Sequence, residues 1–242
     1  MQVALFIPCL NEHIYPNAAL SMVKVLHHFG VNTIYVDDQT CCGQPAFNSG
    51  YQKEIIPLAE KFIKLFCDFD YVIAPSGSCV SMVKNHYEEI HFDSALNNKY
   101  LELRKKIFEF TEFLIDVLKV DNLNAEFKHK VTFHDSCHAL RELKVFSQPR
   151  KLMNMIKGLE LIELEDSDVC CGFGGTFSFK YEDVSVAMVE RKCENIVKTN
   201  AEFCIGLDSS CLMNIDGYIK KNDLKVKVIH IAELLAKSLG LE

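Results

Sequence analysis

Apolar residues fall along this chain in two patterns: short unbroken runs, and longer stretches spaced for one face of a helix. Val3–Pro8 is a continuous apolar run, as suits a strand buried on both faces. Ala19, Met22, Val23 and Leu26 then recur at helical spacing, with Gly30 as a stop. Val31–Val36 reads as a second strand, and Ile55, Leu58, Ala59, Phe62, Leu65 and Phe66 form a second helical face before a third strand at Tyr71–Ala74. The alternation returns later, with strands at Val131–Phe133, Leu159–Leu164 and Phe203–Leu207 and a helix marked by Val186, Val189, Ile196 and Val197. A strand over Val226–Ile229 and a terminal helix reaching Leu239 finish the chain. Strands alternating with helices predict parallel βαβ units. The expected fold is α/β, with two pseudo-repeated halves, each a small parallel sheet with flanking helices. The expected division is residues 1–96 for the first repeat, 97–128 for a helical connector carrying Ile107, Phe110, Leu114, Val117 and Leu118, and 129–242 for the second repeat.

With 242 residues, 49% of them hydrophobic, the chain can bury one large core or two small ones. A net charge of −7 without any basic tract leaves no electrostatic footprint for nucleic acid or an anionic membrane surface. The run Val3–Leu10 lacks a basic segment before it and reads as a strand rather than a signal peptide. No apolar run approaches the roughly 20 residues of a membrane helix, so a cytoplasmic protein without membrane insertion is expected. Eleven cysteines change this picture. In a reducing compartment they point to metal or redox chemistry rather than structural disulfides, and an odd number cannot pair completely.

The cysteines are duplicated in order. Cys9, the triplet Cys41-Cys42-Gly43 and Cys79 are followed by Cys137, Cys170-Cys171-Gly172 and Cys211, with counterparts 128, 129 and 132 residues apart. That regularity marks an internal repeat. All these positions come directly after predicted strands, and open parallel sheets collect ligand groups at the carboxyl ends of their strands. Cys9, Cys41, Cys42 and Cys79 are therefore expected to converge in one half, and Cys137, Cys170, Cys171 and Cys211 in the other. Four thiolates per half is the usual complement of an iron–sulfur cluster. Gly43 and Gly172 let the backbone turn sharply and lie close to an inorganic core. Gly172-Phe173-Gly174-Gly175 lacks the spacing of a dinucleotide-binding loop, which argues against nicotinamide or flavin. Cys67, Cys193 and Cys204 have no counterparts and read as core or surface thiols.

This duplicated arrangement resembles the CCG cysteine-rich domain family, which includes the cysteine-rich component of heterodisulfide reductase and the iron–sulfur subunits of glycolate and glycerol-3-phosphate oxidation systems. The resemblance is carried by Phe6-Ile7-Pro8-Cys9, Cys41-Cys42-Gly43-Gln44-Pro45, Pro75-Ser76-Gly77-Ser78-Cys79, His134-Asp135-Ser136-Cys137-His138, the stretch from Cys170 to Phe177, and Asp208-Ser209-Ser210-Cys211-Leu212-Met213. These segments span nearly the whole chain, and the finer similarity is to the lactate-utilisation branch. The resemblance implies one or two iron–sulfur clusters of the [4Fe-4S] type held by the eight repeated cysteines. It further implies an electron-transfer subunit of a multi-subunit oxidoreductase that takes L-lactate to pyruvate, with other subunits of that complex as partners. Reduction of small disulfides, as in heterodisulfide reductase, and a zinc-stabilised scaffold without catalysis are the alternative readings. Catalytic residues are not identified by the sequence.

One departure from the family bears on the ligand set. The fuller motif ends in Cys-x-x-Cys, and Ser76 and Asp208 stand where the first of those cysteines would fall. An ordinary cluster, a cluster with oxygen ligation, and zinc in one half all remain open. Ser76 and Asp208 are candidates for oxygen ligands or for hydrogen bonds around the site. His134 and His138 flank Cys137, whereas Phe6 and Leu10 occupy the first-half positions. Imidazoles there can ligate metal, bond to thiolate sulfur, or serve as ordinary caps. The asymmetry predicts that the two halves are not loaded alike. Arg141, one turn after Cys137, either offsets thiolate charge or sits as a solvated helix charge.

Overall fold

Two four-stranded parallel sheets are wound in the same way, one after the other, in a computed structural model that describes residues 2–242. The first holds β1 (Val3–Leu5), β2 (Thr33–Tyr35), β3 (Tyr71–Ala74) and β4 (Ile107–Glu109), in spatial order β2-β1-β3-β4. Next along the chain come β5 (Ala125–Glu126), β6 (Lys130–His134), β7 (Ile156–Lys157), β8 (Glu160–Ile162), β9 (Phe203–Gly206) and β10 (Lys227–His230). β5 pairs with β7 alone, and the other four form the second sheet in order β8-β6-β9-β10, the same winding as the first.

Helices fill the crossovers. In the first half α1 (Cys9–His13) and α2 (Pro16–His28) follow β1, and α3 (Gln44–Asn48) and α4 (Gln52–Phe66) follow β2. α5 (Gly77–Ser81) and α6 (Ser94–Leu103) follow β3, and α7 (Phe110–Glu112) follows β4. In the second half α8 (Cys137–Arg141) and α9 (Ser147–Asn154) follow β6, and α10 (Phe177–Lys180) and α11 (Glu182–Lys198) follow β8. α12 (Ser209–Lys221) follows β9, and α13 (Ile231–Ser238) follows β10. Among the described residues, no helix is long and apolar enough to cross a membrane.

Alternation along the strands divides the core. Val3 and Leu5 of β1, Ile73 of β3, Val131 and Phe133 of β6 and Ile205 of β9 share one buried cluster with Met22 and Leu26 of α2 and Leu234 and Leu235 of α13. The two halves thus have a common hydrophobic interior, in which each fully buried Leu, Ile or Phe contributes about 1.5–3 kcal/mol. The alternate residues face away from it. Ala4, Phe6, Val72 and Ala74 pack on Ile55, Ala59, Phe62 and Phe66 of α4. On the second sheet, Cys204 packs with Val189, Cys193 and Ile196 of α11 and Ile215 of α12. Cys67, Cys193 and Cys204 are all buried in these packed regions, as core thiols rather than surface ones.

Residues 97–128 are not a helical connector throughout. Ile107–Glu109 is β4, paired in parallel with Val72–Ala74, so the first sheet extends beyond residue 96. Ile107, Phe110 and Leu114 are buried at helix-like spacing, but they belong in turn to a strand, to α7 and to the π-helical turn Phe113–Val117. Glu109 ends β4 and caps α7 in a reciprocal box with Glu112, as His230 ends β10 and caps α13 with Glu233.

Candidate metal centre

Each repeated cysteine sits just beyond the carboxyl end of a strand. Cys9 opens α1 after β1, Cys41 and Cys42 lie in the loop after β2, and Cys79 lies in α5 after β3. Cys137 opens α8, Cys170 and Cys171 lie in the loop after β8, and Cys211 is in the first turn of α12. In each sheet the winding reverses direction beside β1 or β6, which opens a crevice at the strand ends. The two crevices face each other. All eight thiols line one cavity of about 320 Å³, four from each half. All eleven cysteines are free thiols.

Within each half the thiols form a chain. Cys9 Sγ lies 4.0 Å from Cys41 Sγ. The Gly43 amide donates to Cys41 Sγ at 3.4 Å, and the Gly172 amide donates to Cys170 Sγ at the same distance. Cys41 is pulled down to about 3 by the Cys42 and Cys9 thiols, with the Gly43 amide assisting against burial. Cys170 is pulled down to about 2 by the Cys137 and Cys171 thiols in the same manner. Their neighbours move the other way: Cys9 and Cys137 are raised by donating to these anions and by burial, and Cys42 and Cys171 are raised well above the ordinary thiol value. Each half therefore holds a thiolate ready to ligate at neutral pH.

Backbone geometry keeps the paired cysteines in place. Gly43 and Gly172 both have positive φ, at 88° and 86°. A Cβ on Gly172 would lie 2.6 Å from the Ser185 carbonyl oxygen, and one on Gly43 would lie 2.8 Å from Ile55 Cγ2. No other residue fits without strain. The Tyr87 hydroxyl donates to the Cys42 carbonyl at 2.9 Å, and Asn214 Nδ2 donates to the Cys171 carbonyl at 2.8 Å.

Asp208 joins the two halves beneath the cavity. Its Oδ1 accepts from Ser76 Oγ at 2.7 Å, from the Ser78 amide at 3.0 Å and from Ser78 Oγ at 2.8 Å. Its Oδ2 accepts from Ser136 Oγ. Ser76 Oγ in turn accepts from the Cys79 amide at 3.3 Å and caps α5. The two positions that lack the family's extra cysteine thus bond to each other across the repeat. Asn11 Nδ2 donates to Ser209 Oγ at 2.8 Å close by, and Ser49 and Thr176 hydroxyls meet at 2.8 Å between the two Cys-Cys-Gly loops. Asn11, Ser78, Ser136 and Ser209 carry no sequence signal for this, because each contact joins residues far apart in the chain.

The basic candidates separate. His134 ends β6 at 1% exposure, and neither ring nitrogen makes a hydrogen bond among the described residues. Its donor atom and those of Cys171 and Cys211 lie within 4.8 Å of one another. Cys211 is lowered to about 6, first by the Cys171 thiol, against burial, and then by the nearby His134 imidazole. His138 lines the cavity with Nδ1 3.5 Å from Cys137 Sγ, and its Nε2 is 4.0 Å from Glu142 Oε1. Arg141 turns elsewhere, donating to the Asp168 carbonyl at 2.9 Å. Sulfur donors at this density, with an unpaired buried imidazole beside them, fit a metal ion or an iron–sulfur cluster.

A family profile described as a cysteine-rich domain, CCG, matches residues 3–84 and 131–216. Lactate utilization protein A 2 of Bacillus cereus (strain Q1) is 41% identical over 241 residues, covering 99% of this chain and 100% of that protein. Lactate utilization protein A of Geobacillus sp. (strain WCH70) is 43% identical over 235 residues, covering 97% and 99%. Among solved structures, a hypothetical protein from Helicobacter pylori superposes with a TM-score of 0.69 at 12% identity, over 100% of this chain and 49% of that one. That likeness is one of fold.

Proposed function

The chain belongs to the cysteine-rich CCG domain family, and from that footing we propose that it is the iron–sulfur electron-transfer subunit of an oxidoreductase acting on L-lactate. The observation that carries this reading is the single cavity lined by four thiols from each repeat. Cys9, Cys41, Cys42 and Cys79 would hold one group of the [4Fe-4S] type, and Cys137, Cys170, Cys171 and Cys211 a second group or zinc. Such a cluster, when bound, supplies reversible one-electron chemistry.

The chain's own residues prepare the cavity for it. The Cys42 and Cys9 thiols with the Gly43 amide, and the Cys137 and Cys171 thiols with the Gly172 amide, favour Cys41 and Cys170 as anions, so each half offers a deprotonated donor before loading. Asp208 and its serine partners fix the two donor sets relative to each other, and the shared core behind them limits reorganisation. The lactate assignment draws on the names of the two relatives from Bacillus and Geobacillus, and it implies cytoplasmic partner subunits that exchange electrons with this chain. Reduction of a small disulfide is a second reading, favoured by the volume of the thiol-lined cavity, about 320 Å³.

Deletion of the gene tests the physiological assignment. Growth on L-lactate should be lost and should return with the wild-type chain but not with Cys41→Ser or Cys170→Ser. Undiminished growth of the deletion strain would refute the assignment.

A further inference from the structure

The repeat makes each position in one half a reference for its counterpart. β1 and β6 hold the same register against their neighbours, Val3 opposite Tyr71 and Val131 opposite Phe203, so Phe6 and His134 occupy equivalent places at the strand ends. In the first half Phe6 packs edge-on against Phe62 of α4, with ring centroids 4.7 Å apart. The position equivalent to Phe62 is Lys192 of α11. Ile55 faces Gly43 and Ser185 faces Gly172, and Phe62 and Lys192 each follow seven residues later. An aromatic pair behind one set of cysteines is thus replaced by an imidazole and an ammonium behind the other.

Neither replacement is the economical choice for a packed interior. Burying an imidazole with both nitrogens unpaired is unfavourable, because each nitrogen gives up its bond to water and gains none in return. His134 has that arrangement at 1% exposure. Lys192, equally buried, is compensated by the carbonyls of Asp166 and Ser167. Of the two, only His134 is left without a hydrogen-bond partner among the described residues, and its ring faces Cys171 and Cys211. The three donor atoms lie within 4.8 Å of one another, close to the edge of a tetrahedral N/S site before a metal draws it together.

We infer that His134 is a metal ligand, with Cys171 and Cys211, so that the second half binds through mixed nitrogen and sulfur while the first binds through sulfur alone. A thiolate from the Cys137–Cys170 pair completes the set. The inference rests on the reading of the cavity thiols as metal ligands. A neutral imidazole brings one negative charge fewer than a thiolate, so the two donor sets differ in charge as well as in atom type.

Cadmium-113 loaded into the full-length protein, with nitrogen-15 in its histidines, tests this by NMR. Two cadmium resonances are expected, one at the position of all-thiolate coordination and one displaced towards mixed coordination and split by nitrogen-15. His134→Phe should abolish the splitting and leave the all-thiolate resonance where it was, and His138→Phe should leave the splitting in place. Should His134→Phe not fold, the wild-type spectrum and His138→Phe decide. Two all-thiolate resonances without splitting in the wild type would overturn the inference while leaving the cavity as a metal site. A splitting that survives His134→Phe, or that disappears in His138→Phe, would also overturn it. Failure to bind cadmium in either half would overturn both this inference and the functional reading beneath it.

Discussion

Ser76 Oγ lies 2.7 Å from Asp208 Oδ1, and the two residues occupy corresponding positions in the repeat, 132 residues apart. Where a fuller motif would place two more thiols, this chain has a buried hydrogen bond between its halves. The pair directs its oxygens at each other and at neighbouring serines. The pair therefore ties the two sets of cysteines together beneath the cavity.

Asp208→Ala strips the acceptor from Ser76, Ser78 and Ser136 at once, leaving buried donors unpaired. A loss of about 3–5 kcal/mol is expected from such a network. Ser76→Ala removes the bond to Asp208 and the cap on the Cys79 amide and should cost about 2 kcal/mol. Denaturant unfolding measures both. Metal content of Ser76→Ala should match the wild type, and a lower content would make Ser76 a ligand.

Gly77→Ala should push the halves apart. A Cβ there would lie 2.6 Å from Ala139 Cβ and 3.2 Å from Ala139 Cα, on the helix that Cys137 opens. Overpacking of this kind costs about 1–3 kcal/mol. The double variant Gly77→Ala with Ala139→Gly should recover part of the loss in thermal melts, and no recovery would place the strain elsewhere.

Much of this was legible in the sequence. The spacing of Cys9, Cys41-Cys42-Gly43 and Cys79, repeated from Cys137 to Cys211, located the thiols that line the cavity and the parallel strands that carry them. The strand β4 was not legible, because three residues inside an apolar stretch cannot be told from a helix by periodicity. Its identity comes from pairing with Val72–Ala74. Nor could the sequence show that the cysteine sets share a cavity, since that depends on how two sheets pack through Val3, Leu5, Val131 and Phe133. Ser76 and Asp208 stand out in the sequence as substitutions, and only their meeting across the repeat gives them a role.

The thiols should divide by repeat membership. Cys41→Ser and Cys170→Ser should each lower bound metal, because each removes the most acidic thiol of its half. Cys67→Ser should leave metal content unchanged, because Cys67 is bonded to the Lys64 carbonyl and Asp68, away from the cavity. Metal analysis of the three purified variants checks this, and equal losses in all three would contradict it.

Glu109 provides a pH signature. Burial pushes its carboxyl up to about 8, against the hydrogen bonds from Thr111 and Glu112, while the unfolded chain has an ordinary value of 4.5. The folded state binds this proton more tightly, so the carboxyl opposes folding increasingly as pH rises from about 4.5 through about 8. Glu109→Gln keeps an acceptor for the cap without the charge. Its melting temperature should fall less steeply over that window than the wild type's, and parallel profiles would contradict the assignment.

Iron and acid-labile sulfide, measured with the visible spectrum on protein purified without oxygen, bear most directly on the central claim. The expected result is a brown protein with about four irons and four sulfides for each loaded half, bleached by dithionite. A colourless protein holding stoichiometric zinc, and gaining no chromophore on anaerobic reconstitution with iron and sulfide, would contradict it.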